Sequence, residues 1–140
     1  MVILVDTNII LDVIVSRKPF ATESRKILEL CARQEIKGYI AFHSVSNIFF
    51  ILRKMFSNKE RRLLLLGILK VLNVTGASHE KVLSALEKKD FEDFEDCLQE
   101  KCAEEVRAEC IITRNTQDYK NSSIQAETPH DFLEKHKYMK

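Results

Sequence analysis

The sequence predicts a three-layer α/β sandwich built on a central, mostly parallel sheet, in a single domain spanning residues 1–140. Three observations carry this. Short β-branched apolar runs alternate with longer stretches of helical periodicity, the pattern of successive βαβ units. The runs Val2-Ile3-Leu4-Val5 and Cys110-Ile111-Ile112 are continuously apolar rather than alternating, as expected of strands buried on both faces of a parallel sheet. The 140 residues, 45% apolar with only 3 Gly and 2 Pro, supply one core rather than two. At that length a folded chain buries roughly 70% of the surface it exposes when unfolded, so neither disulfides nor a structural metal is needed.

Each element has its own signal. Val2 to Val5 is the first strand, and Asp6 ends it abruptly. Asp6 or Thr7 caps a short helix with Ile9, Ile10, Val13 and Ile14 on its apolar side, before a loop at Ser16-Arg17-Lys18-Pro19. Helical spacing of Ile27, Leu28, Leu30 and Cys31 marks a second helix from about Thr22 to Gln34, and Gly38 punctuates the chain beyond it. Tyr39-Ile40-Ala41-Phe42 reads as a second buried strand, with Ser44 or Ser46 starting a helix that stops near Ser57. Asn58 is expected to cap a further helix so apolar, from Leu63 to Leu72, that it should be buried or pack on a partner. A weak strand near Val71 to Val74 precedes Thr75-Gly76-Ala77, and Ser78 caps a helix from His79 to Glu87.

Asp93 to Glu109 reads as a long helix with Phe94, Leu98, Cys102 and Val106 four residues apart, opposite an acidic side of Glu92, Asp96, Glu100 and Glu104. Asp96 apart, that side reads as a solvated face. Cys110 to Thr113 is a third clear strand, Arg114 to Asn121 a polar loop, and Ser123 to Ala126 a last strand. Thr128 then caps a C-terminal helix with Pro129 as its first residue.

Composition excludes several function classes. Lys and Arg number 22 against 21 Asp and Glu, a formal charge of +1, so the chain lacks the overall basic excess of a general nucleic-acid binder and any phosphate contact must be local. A candidate strip is Arg53, Lys54, Lys59, Arg61 and Arg62, whose simpler reading is solubilising charge. No run reaches the about 18 apolar residues of a membrane span, and Met1 leads into Val2 without a basic leader, so a soluble cytoplasmic protein without membrane contact is expected. Cys31, Cys97, Cys102 and Cys110 form no CxxC pair and read as reduced, buried thiols.

In an open parallel sheet, ligands collect outside the carboxyl ends of the strands. Asp6 follows the first strand, His43 to Asn47 follow the second, and Thr113, Asn115 and Asp118 follow the strand at Cys110, while Asp93 and Asp96 open the long helix. Carboxylates and amides gathered at one edge suit Mg²⁺ or Mn²⁺, which take oxygen ligands and keep several waters. Without a cation the carboxylates would repel and raise one another's pKa. The chemistry favoured is metal-assisted hydrolysis of a phosphodiester. For Asp6 the plainer role is a helix cap, for Asn115 and Asp118 an Asx turn, and for His43 a local hydrogen bond.

Val5-Asp6-Thr7-Asn8, Asp93-Phe94-Glu95-Asp96 and Ile112-Thr113-Arg114-Asn115-Thr116-Gln117-Asp118-Tyr119, in this order across nearly the whole chain, resemble PIN domains, and most closely the branch of VapC-like toxins. The resemblance implies a Mg²⁺- or Mn²⁺-dependent ribonuclease acting on RNA, paired with an antitoxin protein and often a homodimer. It makes Asp6, Asp96 and Asp118 the metal-site carboxylates and Asp93 an auxiliary acid. Thr113 and Asn115 become the polar residues of the site loop, and Asn8 a buttress for Asp6. The family usually carries Glu on the helix after the second strand; this chain has Asn47, which can ligate but brings no charge. That substitution leaves a second reading, a non-catalytic RNA- or protein-binding PIN-like module. In a dimer, the leucines from Leu63 to Leu66 are candidates for the seam.

Overall fold

The computed structural model describes residues 1–76 and 78–138. Strands β1 (Val2–Val5), β2 (Lys37–Ala41), β3 (Asn73–Thr75), β4 (Cys110–Ile112) and β5 (Gln125–Glu127) form one sheet in the order β3-β2-β1-β4-β5. Every pairing is parallel. The expected α/β sandwich is therefore present. β1 is central because both faces of its residues are apolar: Ile3, Leu4 and Val5 are fully buried. Each contributes about 1.5–3 kcal/mol on burial.

The helices are α1 (Thr7–Ile14), α2 (Ala21–Ala32), α3 (Phe42–Ile51), α4 (Asn58–Ile68), α5 (His79–Glu87), α6 (Phe94–Glu105) and α7 (Pro129–Lys135). Alternation along β1 divides the core. Ile3 and Val5 pack with Ile9, Ile27, Ile40, Ile48 and Phe132, whereas Leu4 packs on the opposite face with Cys102, Ala103, Ile111 and Tyr119. All four cysteines are buried and free, with burial pushing the Cys31 thiol up to about 11 and the Cys110 thiol up to about 12. Among the described residues no helix is long and apolar enough to cross a membrane.

Helix starts follow side-chain caps where these exist. Asp6, Ser78, Asp93 and Thr128 each accept from a backbone N–H of the first turn, as their residue types predict. Ala77, expected in the loop before α5, lies outside the described residues.

Several boundaries differ from expectation. Ser57, not Asn58, caps α4, because Glu60 reaches back to the Ser57 N–H and closes a capping box. α3 begins at Phe42 rather than at Ser44 or Ser46, since the chain turns directly out of β2 at Ala41 with no side-chain cap. β3 sits two residues later than the apolar run suggested, and α6 ends at Glu105. Gly38 lies inside β2 instead of punctuating a turn, where a Cβ would stand 2.6 Å from both Cys31 Sγ and Leu72 Cδ2. Two larger corrections concern helix faces. Leu65 and Leu72 are buried and Ile68 and Leu69 pack partly against the core, but Leu63 and Leu66 stand 60% exposed, so the apolar run is divided between core and surface. Glu100, expected on a solvated face, is fully buried.

Candidate functional site

The chain reverses its direction of travel across the sheet between β1 and β4: the path runs outward from β1 through β2 to β3, then returns to β4 on the other side. This is where an open α/β sheet opens a crevice at its carboxyl edge. Asp6 follows β1 and Thr113 follows β4, so the two strand ends deliver them side by side. Thr113 Oγ1 donates to Asp6 Oδ2 at 2.8 Å, and the Thr7 N–H donates to Asp6 Oδ1 at 2.7 Å.

Tyr119 completes this arrangement. Its hydroxyl lies 3.1 Å from Asp6 Oδ2 and 3.3 Å from Asp96 Oδ1, bridging the carboxylate after β1 to the one in the first turn of α6. Asp93 caps that helix by accepting from the Asp96 N–H at 3.1 Å. Asp118 sits in a 3-10 turn, Thr116–Tyr119, and lines a cleft of about 320 Å³ together with Asp93 and Asp96.

The electrostatics express crowding. Burial pushes the Asp6 carboxyl up against the opposing hydrogen bonds from Thr113, Thr7 and Tyr119. Asp96 is pushed up to about 7, by burial first and then by repulsion from Asp93, Asp6 and Asp118. Among the described residues no Lys or Arg pairs with any of these four carboxylates.

Behind the carboxylates runs a buried polar chain. Thr7 Oγ1 and Gln99 Nε2 both donate to Ser44 Oγ, at 2.8 and 2.7 Å. Gln99 Oε1 and His43 Nε2 are buried without a partner, and burial holds the His43 imidazole below its ordinary pKa although Asp6 pulls the other way. Asn8 Nδ2 donates to Thr113 Oγ1 at 3.2 Å and its Oδ1 accepts from the Arg114 N–H, so Asn8 supports Asp6 through Thr113. Arg114 is fixed by the fully buried Asp12, its Nε donating to Oδ2 at 2.5 Å, with Arg17 on the same carboxylate at 3.3 Å.

The expected residues thus meet in part. Asp6, Asp93, Asp96 and Thr113 are linked directly, or through Tyr119, and Asp118 is felt by Asp96 across the cleft. Asn115 is exposed; its N–H donates to Thr113 Oγ1 and its carbonyl accepts from the Asp118 N–H, which holds the turn. Asn47 is half-buried, one turn beyond His43 on α3, with no side-chain hydrogen bond to the cluster among the described residues. Sequence reasoning missed Tyr119, Gln99 and Ser44. The Tyr directly after Asp118 was available as a signal, but only the 3-10 turn aims it inward.

Oxygen donors that repel one another and lack a cationic partner fit a hard divalent ion. Among the described residues no three His, Cys, Asp or Glu side chains already form one coordination shell. Mg²⁺ commonly uses one or two carboxylates and completes its shell with water, so this spacing is compatible with it.

The PIN domain family model matches residues 2–117. The chain belongs to the PIN domain family. Solved structures share the PIN fold at low identity. VapBC2 from Rickettsia felis bound to a promoter DNA fragment aligns at TM-score 0.70 and 18% identity, covering 91% of this chain and 98% of the other. A toxin–antitoxin complex from Klebsiella pneumoniae gives 0.67 and 22%, covering 90% and 96%. VapBC-1 from nontypeable Haemophilus influenzae gives 0.66 and 16%, covering 93% and 99%. A search of curated proteins finds no match to this PIN domain.

Proposed function

We propose that this PIN domain is a Mg²⁺- or Mn²⁺-dependent endoribonuclease that hydrolyses RNA phosphodiesters in the cytoplasm, as the toxin of a toxin–antitoxin pair. One observation carries the reading: Asp6, Asp93, Asp96 and Asp118 gather at the carboxyl edge of β1 and β4, where burial first and then their mutual repulsion push Asp96 up to about 7, and among the described residues none of the four forms an ion pair with Lys or Arg. Such a cluster is costly for the fold alone and useful for holding a cation.

Asp6, Asp96 and Asp118 would hold the ion, with Asn47, Asp93, Thr113 and Asn115 completing the site. A bound divalent cation supplies an activated water and stabilises charge on the leaving oxygen. The chain's own contribution is orientation. Thr7 N–H and Thr113 Oγ1 fix the two Asp6 oxygens in different directions, and the Tyr119 hydroxyl keeps Asp6 and Asp96 at a set separation. The Asp93 cap fixes the first turn of α6 and therefore Asp96.

An antitoxin partner is supported by the solved structures this chain resembles, which are VapBC and other toxin–antitoxin complexes. An apolar groove of about 610 Å³ between α3 and α4, lined by Phe42, Val45, Phe49, Leu65, Leu66 and Leu69, offers surface for that partner or for a second copy.

Wild-type protein is expected to cleave RNA when Mn²⁺ is supplied, and Asp6→Asn to lose at least about a hundredfold, the scale of losing an electrostatic group in the reaction centre. A second reading, a non-catalytic RNA- or protein-binding module, is favoured by the lack of a ready-made coordination shell among the described residues. It prevails if no divalent ion elicits cleavage while RNA binding persists.

A further inference from the structure

The acidic cleft has two walls that belong to different parts of the chain. One is the segment before α6, with Asp90, Phe91, Glu92 and Asp93; the other follows β4, with Gln117, Asp118, Lys120 and Asn121. The first wall is acidic and the second carries Asp118 beside Lys120, and the Asp96 carboxylate at the foot of the cleft is repelled by both Asp93 and Asp118. Neither wall is a strand or long helix that would resist on its own.

A tie of opposite character lies behind them. Glu100, one turn beyond Asp96 on α6, is fully buried, and its Oε1 accepts from Lys88 Nζ at 2.8 Å while its Oε2 accepts from the Ser123 N–H at 2.8 Å. Lys88 leads into the first wall and Ser123 leaves the second. Lys88 Nζ also donates to the Asn121 carbonyl at 3.4 Å, its charge lies 4.9 Å from the centre of the Phe91 ring, and Asn121 Nδ2 donates to the Asp90 carbonyl at 2.6 Å. The Phe91 ring meets Tyr119 edge-on at 6.2 Å. Burial raises the Glu100 carboxyl, but Lys88 and the Ser123 N–H override it and hold the group ionised below its ordinary pKa.

We propose that the half-buried Lys88 and the fully buried Glu100 form a clamp that holds the two walls of the acidic cleft together, making both positioning residues for the metal site. The clamp rests on the cation reading given above. An ion pair with one buried partner is weak as a source of stability; the role assigned to it here is to favour one arrangement of the walls over others. Neither residue touches the ion or the substrate.

Lys88→Met separates the clamp from plain electrostatics because the two predict opposite signs. Removing a positive charge near a cation site deepens the negative potential and should tighten Mn²⁺. Releasing the walls should loosen it, by about tenfold, the usual scale for losing a supporting contact around a metal. Mn²⁺ binding is read directly by electron paramagnetic resonance on the full chain, alongside Lys88→Arg, expected within about twofold of wild type because the ion pair is kept. Asn121→Ala, an exposed and charge-neutral cut of the Asn121–Asp90 tie, is expected to weaken Mn²⁺ by about threefold and decides the matter should Lys88→Met fail to fold. Mn²⁺ bound as tightly or more tightly by Lys88→Met, or by Asn121→Ala where only that variant folds, overturns the clamp alone. No Mn²⁺ binding by wild type overturns the cation reading and the clamp together.

Discussion

At the scale of single residues, Tyr119 has the clearest consequence. Its hydroxyl lies within hydrogen-bond distance of both Asp6 and Asp96 and has one proton to donate between them, where no Lys or Arg among the described residues forms an ion pair with either. Tyr119→Phe keeps the ring packed against Leu4 and Ile111 and removes only that contact, at about 1 kcal/mol of stability. Because the hydroxyl lowers the Asp96 pKa, its loss should move that carboxyl above about 7 in metal-free protein. Carbon-detected titration of Asp96 reads this; an unmoved midpoint would make the hydroxyl a bystander. The sign for stability follows from the same shift. A carboxyl raised from 3.8 to about 7 keeps its proton in the folded state over a window where the unfolded chain has released it, so stability falls as pH climbs through that window and stays reduced above it. Asp96→Asn should flatten the fall and stabilise metal-free protein at pH 8 by on the order of 1 kcal/mol, discounted for the side chain's partial exposure. Thermal melts in chelator at pH 5 and pH 8 test it. Asp6, Asp96 and Asp118 could be read from the sequence because each follows a strand or opens a helix. Tyr119 could not, since nothing in its residue type distinguishes a bridging hydroxyl from a core ring.

At the scale of elements, helix starts were readable where a side chain does the capping without a rival, as at Asp6, Ser78, Asp93 and Thr128. At α4 the cap was expected at Asn58 and lies at Ser57, whose signal was Glu60 at capping-box spacing. The start at Phe42 was not, because Ala41 caps with backbone alone. Gly38 shows a different limit: its role is set by Cys31 and Leu72, which reach it from α2 and from the segment before β3. Gly38→Ala should cost about 1–3 kcal/mol by overpacking, seen as a lower urea midpoint at unchanged slope. A midpoint equal to wild type would mean that the neighbouring thiol and methyl groups yield freely. Charged residues beside α3 also resolve at this scale. Arg53 and Arg61 donate to the Phe50 and Phe49 carbonyls at 2.9 and 2.8 Å and stack on those same rings, so both are engaged at the C-terminal end of the helix.

At the scale of the whole molecule, neutrality overall conceals separation. Acid gathers at one edge of the sheet, while Phe42, Phe50, Met55, Leu63 and Leu66 are exposed along α3, α4 and the segment joining them. Apolar surface of this kind marks an interaction face. Self-association through it should appear as dimer-sized material in light scattering, reduced by Leu66→Glu; monomer alone at working concentration would leave the face to a different partner. The run from Leu63 to Leu72 was expected to be buried or to pack on a partner because it is apolar on most sides. Composition does not say which of those sides meets the core, and here the one carrying Leu63 and Leu66 is turned outward. Glu100 erred in the opposite direction, since an acid within an acidic stripe gives no sign that a lysine from another segment will reach it.

The position of β1 has an effect on how the chain matures. It is the first of the five strands to leave the ribosome, yet both of its neighbours come later, and β4 pairs with it only once residue 112 is available. Contacts so distant in sequence form slowly. Until then Asp6 has neither Thr113 nor Tyr119 beside it, so a nascent or truncated product carries an unassembled centre. Any chemistry that needs Asp6 beside Thr113 and Tyr119 is therefore absent until the chain is nearly complete.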